Sequence, residues 1–316
     1  MKLSIIIPEY LVYKKALGLL FRIDTYRLQE FLRQIGDVDV EGIHTEQVQT
    51  FLQGNLGTVT PVWFSKFSVL SRFFKYAISR GYLLHAPLPT SLPRKPEPMS
   101  PFLYTVAQIK SLLGVPDTAY HPNAHIEPHT MRAFLVLLYG TGLRPGEAIR
   151  LTRSDVDLDQ AVLTVRNTKF FKSRLVPIGP ELTRFLSAYE GRCPTHTAPA
   201  VASDQPFLRC RLGKALKIDA VDGVFQWLRV EANVLRLDGS GHQPRLYDFR
   251  HTFAVTRLVT WYRDGKDAQR LLPHLATYLG HVHIDHTAHY LTMTMELLKE
   301  ASICFERYAL GEARHA

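Results

Sequence analysis

The stretch LGHVHIDHTAHYLTMT, residues 279–294, gathers His281, His283, His286, His289 and Tyr290 within ten positions. Imidazoles so spaced suit a zinc ion, whereas the tyrosine suits nucleophilic attack or simple core packing, and the spacing leaves these alternatives open. Two arginines bear on the choice. Arg144 stands in YGTGLRPGEAIRL on a turn bounded by glycine and proline, with Glu147 three residues on. Arg250 interrupts the apolar helical pattern YDFRHTFAV, one turn after Tyr247. A buried guanidinium must meet an anion, so Arg250 calls for a carboxylate such as Glu147 or for a phosphate brought by a ligand.

These residues need a frame. Apolar positions at Leu28, Phe31, Leu32 and Ile35, and at Val48, Phe51 and Leu52 after a cap at Thr45, predict two helices. Thr60 and Pro61 open a third, which carries Trp63, Phe67, Leu70, Phe74 and Ala77 on one face and Lys66, Lys75 and Arg80 as basic decoration before Gly81 stops it. Residues 87–101, PLPTSLPRKPEPMSP, hold six prolines and predict an extended linker. Helical signals resume at YTVAQIKSLL, where Thr105 and Gln108 form a capping box, and at MRAFLVLLYG. Runs from Ala161 to Arg166 and from Arg174 to Ile178 then predict a hairpin with a basic connection, after which helices return, one opened by Pro180 and another formed by YDFRHTFAVTRLVTWY. A last helix is expected around MELLKEASICFERYAL, with Leu297, Leu298, Ile303 and Phe305 as its apolar positions. The chain therefore reads as mainly α with a small β-sheet or hairpin, in two domains: a helical domain at 1–86, a linker at 87–101 and an α+β domain at 102–316.

With 38 Lys+Arg against 29 Asp+Glu, the formal charge is +9 and the pI about 9.4, which favours a polyanionic partner, most simply nucleic acid. Three widely spaced cysteines, Cys193, Cys210 and Cys304, make neither a disulfide framework nor a paired metal knuckle. The run Ile5 to Ile7 ends at Pro8, too short for a signal-peptide core, and no later segment is long enough to cross a bilayer. A cytoplasmic location with no membrane partner is the expectation.

Taken together, TGLRPGEAIRL, YDFRHTFA, YLGHVHI and TAHY, in that order, resemble the motif boxes of the tyrosine recombinase, or phage integrase, family. The resemblance implies a helical core-binding domain at 1–86 ahead of the catalytic domain, and a site-specific DNA strand exchange that proceeds through a covalent 3′-phosphotyrosine. It makes Arg144, Arg250 and His281 the contacts to the scissile phosphate, Glu147 their support and Tyr290 the nucleophile. Lys169, eight residues before Pro177, corresponds to the hairpin lysine that protonates the leaving 5′ oxygen, with Lys172 as runner-up. No metal and no other cofactor is implied. His283, His286 and His289 then fall to DNA or surface positions, and His121, His125 and His129 to a solvated loop. Lys66, Lys75, Arg80, Lys172 and Arg174 are the expected DNA contacts, and double-stranded DNA is the expected partner. The protein would assemble as a dimer on one site and a tetramer in synapsis, with itself or with related recombinases, as the integrase of a mobile element. In one respect the sequence departs from the family: Tyr247 stands where a histidine is usual, three residues before the second arginine, and is counted with the catalytic residues as a hydrogen-bonding contact to the phosphate. His251 is expected to point away from the Arg250 face, so the acceptor of the Tyr290 proton is left unassigned.

Three other functions compete. A type IB topoisomerase would use nearly the same residues on one duplex. A silent DNA-binding regulator of the same fold would have no physical need for a complete Arg, Lys, Arg, His, Tyr set. A metal-dependent hydrolase would lose activity in EDTA.

Overall fold

A computed structural model describes the chain apart from residues 19–21, 55–58, 96–98, 119–124, 167–172, 193–203, 240–241, 282, 293–296, 301 and 304–316. The chain divides into two compact units, the first ending at Met99 and the second beginning at Ser100.

The first unit is helical: α1 (Leu3–Ala16), α2 (Arg22–Ile35), α3 (Thr45–Gln53) and α4 (Pro61–Ser79). Helix α1 escapes the sequence analysis because Pro8 interrupts it. It forms because Leu3, Ile6, Ile7 and Tyr10 make one buried stripe, and because Asp37 receives both the Ser4 amide and the Ser4 hydroxyl at 2.9 Å. Helix α3 starts one residue earlier than expected, with His44 as its N-cap and the His44 amide donating to Gln47 at 2.9 Å. Phe31, Phe51, Phe73 and Phe74 fill the core that these helices share, with Phe31 edge-on to Phe51 at 5.0 Å between ring centroids.

Lys66 belongs to this core and not to a DNA surface. Only 5% exposed, its ammonium lies 2.8 Å from Glu30, donates to the Phe51 carbonyl at 3.0 Å and sits over the Phe51 ring. A cation with its donors so engaged is withheld from a phosphate, which corrects the expected role of Lys66. Lys75 and Arg80 are exposed, as a backbone contact requires.

The second unit is organised around α6 (Pro128–Thr141), buried at Met131, Ala133, Phe134, Leu135, Leu137 and Leu138. Packed against it are α5 (Val106–Thr118), α8 (Pro180–Gly191) and α10 (Asp248–Arg263), which together leave α6 almost no solvent face. The predicted capping box opens α5: Thr105 donates its amide to Gln108 at 2.9 Å and receives the Gln108 amide at 3.2 Å. Between α6 and α8 lie the short helix α7 (Pro145–Ala148) and a three-stranded antiparallel sheet, β1 (Val156–Asp157), β2 (Val162–Val165) and β3 (Arg174–Pro177). The expected hairpin is β2 with β3, registered Val165 opposite Arg174. Helix α9 (Ile218–Glu231) precedes α10, while α11 (Ala268–Leu279) and α12 (Asp285–Ala288) follow it. Phe253, Leu258, Leu272, Leu275 and Leu279 form a smaller core that also takes in Tyr290 and Leu297. Most of the helix expected around residues 295–310 lies outside the described residues.

Candidate active site

The site is built where three chain reversals meet. The first is the turn between α6 and α7. Gly142 ends α6 in the left-handed region at φ 62°, and a side chain there would strike the Phe253 ring at 2.6 Å. Arg144 follows in extended conformation as the N-cap of α7, with Pro145 at the first helical position. Glu147 reaches back to the Arg144 amide at 3.0 Å and takes the Arg144 guanidinium at 2.8 Å.

The second reversal is the end of α11. Gly280, at φ 71°, caps the helix, and the His281 amide returns to the Ala276 carbonyl at 2.9 Å. Three successive carbonyls at this end are left for side chains, and each receives an arginine. Arg174 Nε donates to Tyr278 at 2.9 Å, Arg250 Nη2 to Leu279 at 2.6 Å and Arg144 Nη2 to Gly280 at 3.5 Å. Cations are favoured here because the helix dipole places partial negative charge at its C-terminus. Arg250, wholly buried, also donates to the Gly142 carbonyl at 3.0 Å and so ties the first reversal to the second.

Glu147 is the common anion. Arg174 grips it through Nη2 at 2.8 Å and Nη1 at 3.2 Å, while Arg144 holds it from the other side. Burial pushes the Glu147 carboxyl up, but Arg174 and Arg144 outweigh that and hold it at about 2. Arg174 is therefore a buried brace, 10% exposed at its side chain, which corrects its assignment as a DNA contact. The missing side chain of Gly280 leaves it room, since a Cβ there would lie 2.7 Å from Arg174 Nη1.

The third reversal carries Tyr290. Its side chain is 3% exposed and lies between two imidazoles, stacked on His281 at 6.2 Å and 23° and inclined to His251 at 5.6 Å and 64°. Burial raises the phenol, while the facing Arg250 cation draws it down. His281 Nδ1 lies 2.7 Å from the buried Thr287 hydroxyl; when that hydroxyl donates, Nε2 carries the proton. Burial first, then Arg250 and Arg144, lower His281 to about 3, so the ring is neutral near pH 7. Arg250 is depressed by burial and by Arg144, yet a guanidinium keeps its charge at any working pH.

Arg144, Glu147, Arg250, His281 and Tyr290 are thus brought together as the sequence led us to expect. Tyr247, at the N-terminus of α10, is 38% exposed and joins the group both through the Arg144 guanidinium, with which it pairs, and through His251, its ring 5.2 Å away. Sequence reasoning missed Thr287, placed Arg174 on DNA and turned His251 away from the Arg250 face. The only sequence signal for Arg174 was its place at the head of a strand, and for His251 its adjacency to Arg250. Lys169 and Lys172 lie outside the described residues. His283, His286 and His289 are exposed, and His129 packs against the Tyr189 ring at 5.8 Å.

Residues 104–296 match the phage integrase family. The protein y4rB of Sinorhizobium fredii (strain NBRC 101917 / NGR234), which bears the name integrase/recombinase, is 35% identical over 95% of this chain and 96% of its own. The tyrosine recombinase XerD of Neisseria meningitidis serogroup A is 33% identical over 66% of each chain. Among solved structures, the Tn1549 transposon integrase in complex with circular-intermediate DNA superposes with a TM-score of 0.67 at 17% identity, covering 98% of this chain and 99% of that one. The lambda integrase dimer on a COC′ core site gives 0.63 at 16% identity over 90% and 97% of the two chains. The chain belongs to the phage integrase family, the tyrosine-type site-specific recombinases. No described helix is long and apolar enough to cross a membrane.

Proposed function

We propose that the protein cuts and rejoins duplex DNA through a 3′-phosphotyrosine on Tyr290, for the integration or transposition of a mobile element. The observation that carries this reading is the convergence of Arg144, Arg250 and His281 around a buried Tyr290. Guanidinium groups offer paired donors to phosphate oxygens and a fixed positive field for the charge that builds during attack. His281, neutral and held through Thr287, adds a donor. Glu147 and Arg174 keep Arg144 from collapsing onto solvent. Lys169 protonates the leaving 5′ oxygen, an assignment that rests on its offset in the sequence. The phosphotyrosine conserves the energy of the broken bond, so strand rejoining needs neither nucleotide nor metal.

Lys75 and Arg80 meet the DNA backbone. The protein acts in the cytoplasm, as a dimer on each site and a tetramer in synapsis, with its own copies or a related recombinase. The lambda integrase structures, a dimer on a core site and a tetramer on a Holliday junction, support that order of assembly. A DNA suicide substrate nicked beside the cleavage point tests the reading: wild type should be trapped covalently in EDTA, and Tyr290→Phe should not. An adduct formed by Tyr290→Phe would put the nucleophile elsewhere.

A further inference from the structure

Nothing assigned so far takes the proton from Tyr290. Arg250 has no lone pair to offer, and His281, when the Thr287 hydroxyl donates to its Nδ1, presents Nε2–H, a donor and not an acceptor. Tyr247 is paired with the Arg144 guanidinium. We propose that His251 accepts the Tyr290 proton, its imidazole taking the task that a histidine at position 247 would otherwise perform. The inference rests on the phosphotyrosine reading above.

Three observations support it. The His251 ring packs against both tyrosines, 5.6 Å from Tyr290 and 5.2 Å from Tyr247 between centroids. Its Nδ1 is buried and has no hydrogen-bond partner among the described residues. A desolvated nitrogen left empty is costly, and such vacancies in folded proteins call for a functional explanation. The His251 ring is inclined at 64° to Tyr290, whereas His281 lies near-parallel to it at 23°.

The surroundings keep His251 unprotonated and ready. Burial is the largest influence, followed by Asp248, which opposes it, and by Arg245, Arg250 and His289, which reinforce it; the ring is lowered to about 4. A bound DNA phosphate adds negative charge beside it and moves it back towards neutrality. In the forward step the Tyr290 proton passes to His251 Nδ1 as the phenolic oxygen bonds to phosphorus. The bond from phosphorus to the 5′ oxygen breaks, and that oxygen takes a proton from Lys169. In rejoining, the 5′ hydroxyl attacks phosphorus and gives its proton to Lys169, the bond from phosphorus to the Tyr290 oxygen breaks, and the His251 imidazolium returns its proton to that oxygen.

Single-turnover cleavage of suicide substrates tests this, with DNA binding measured alongside to confirm folding. His251→Ala and His251→Asn should cleave about 10²- to 10⁴-fold more slowly than wild type, the usual contribution of a positioned base. Added imidazole should restore His251→Ala, whose truncated side chain leaves space beside Tyr290. A substrate with a bridging 5′ sulfur, whose thiolate leaves without protonation, should rescue Lys169→Ala and leave His251→Ala slow. The wild-type profile should show a one-proton loss of rate on acidification that His251→Asn lacks and Tyr247→Phe retains. Asp248, Arg245, Arg250, His289, Tyr247 and Tyr290 are the other charged or titratable groups facing His251 and set where that loss falls. Wild-type cleavage by His251→Asn, or rescue of His251→Ala by the sulfur substrate, overturns the proposal. Absence of any wild-type adduct at Tyr290 overturns instead the reading on which it rests.

Discussion

Replacing Glu147 by glutamine tests whether the three-arginine arrangement depends on one carboxylate. Glu147 is 4% exposed and accepts from Arg174 twice, from the Arg144 guanidinium and from the Arg144 amide. Its folded-state value of about 2, against an ordinary 4.5, corresponds to about 3 kcal/mol of stability at neutral pH. Because the folded value is the lower one, this stability is present above about 4.5 and is lost as the pH falls towards about 2. A glutamine there would keep the shape and lose the charge, leaving two guanidinium groups facing each other. Glu147→Gln should therefore lower the melting temperature of the second unit by roughly 6–12 °C at pH 7, at 2–4 °C for each kcal/mol in a unit of this size. The gap should narrow as the pH is lowered from 5 to about 2, because the wild-type carboxyl then takes up the proton that its linkage predicts. Calorimetry of both proteins across that range measures it, with single-turnover cleavage alongside to show Arg144 losing its place. A gap below about 1 kcal/mol at pH 7, or one that does not change with pH, would refute the reasoning.

Gly280→Ala should cost about 1–2 kcal/mol for its left-handed backbone and further displace Arg174, so cleavage should fall more than DNA affinity; equal losses in the two assays would deny Arg174 its bracing role. In the first unit, Lys75→Ala and Arg80→Ala should each flatten the salt dependence of DNA binding by about one ion, as counterion release requires. Lys66→Ala should leave that slope unchanged and destabilise the first unit by about 1–3 kcal/mol, because the Phe51 carbonyl loses its donor while half-buried Glu30 keeps Arg27. A lowered slope for Lys66→Ala would return it to the DNA surface.

Much of the site was legible because short motifs carry their own geometry. TGLRPGE encodes a glycine stop, an extended arginine, a proline at the start of a helix and a glutamate that folds back three residues later, all within one turn. Residues 279–290 similarly encode a glycine cap followed by the histidine and the tyrosine. Helix α1 was hidden by Pro8, since helical packing outweighed the local proline penalty. Lys66 and Arg174 were misread for a shared reason. A basic residue on a helix or strand looks the same in sequence whether it meets solvent, DNA or a buried carboxylate, and their partners lie at Glu30 and Glu147, 36 and 27 residues away.

By itself, then, the order and spacing of residues determined the mainly α fold class with a small sheet, and a family resemblance in four short motifs singled out Arg144, Arg250, His281 and Tyr290 as the proposed reacting set. Tertiary structure decided how these groups are held. The arginines converge because the carbonyls at the end of α11, which accept from their side chains, sit beside the turn that presents Arg144 and the strand that presents Arg174. Only the fold lays His251 against Tyr290, 39 residues further along the chain. Local patterning sets which face of an element is apolar, but the pairing of charges and of aromatic rings across elements depends on distances that no sequence interval contains.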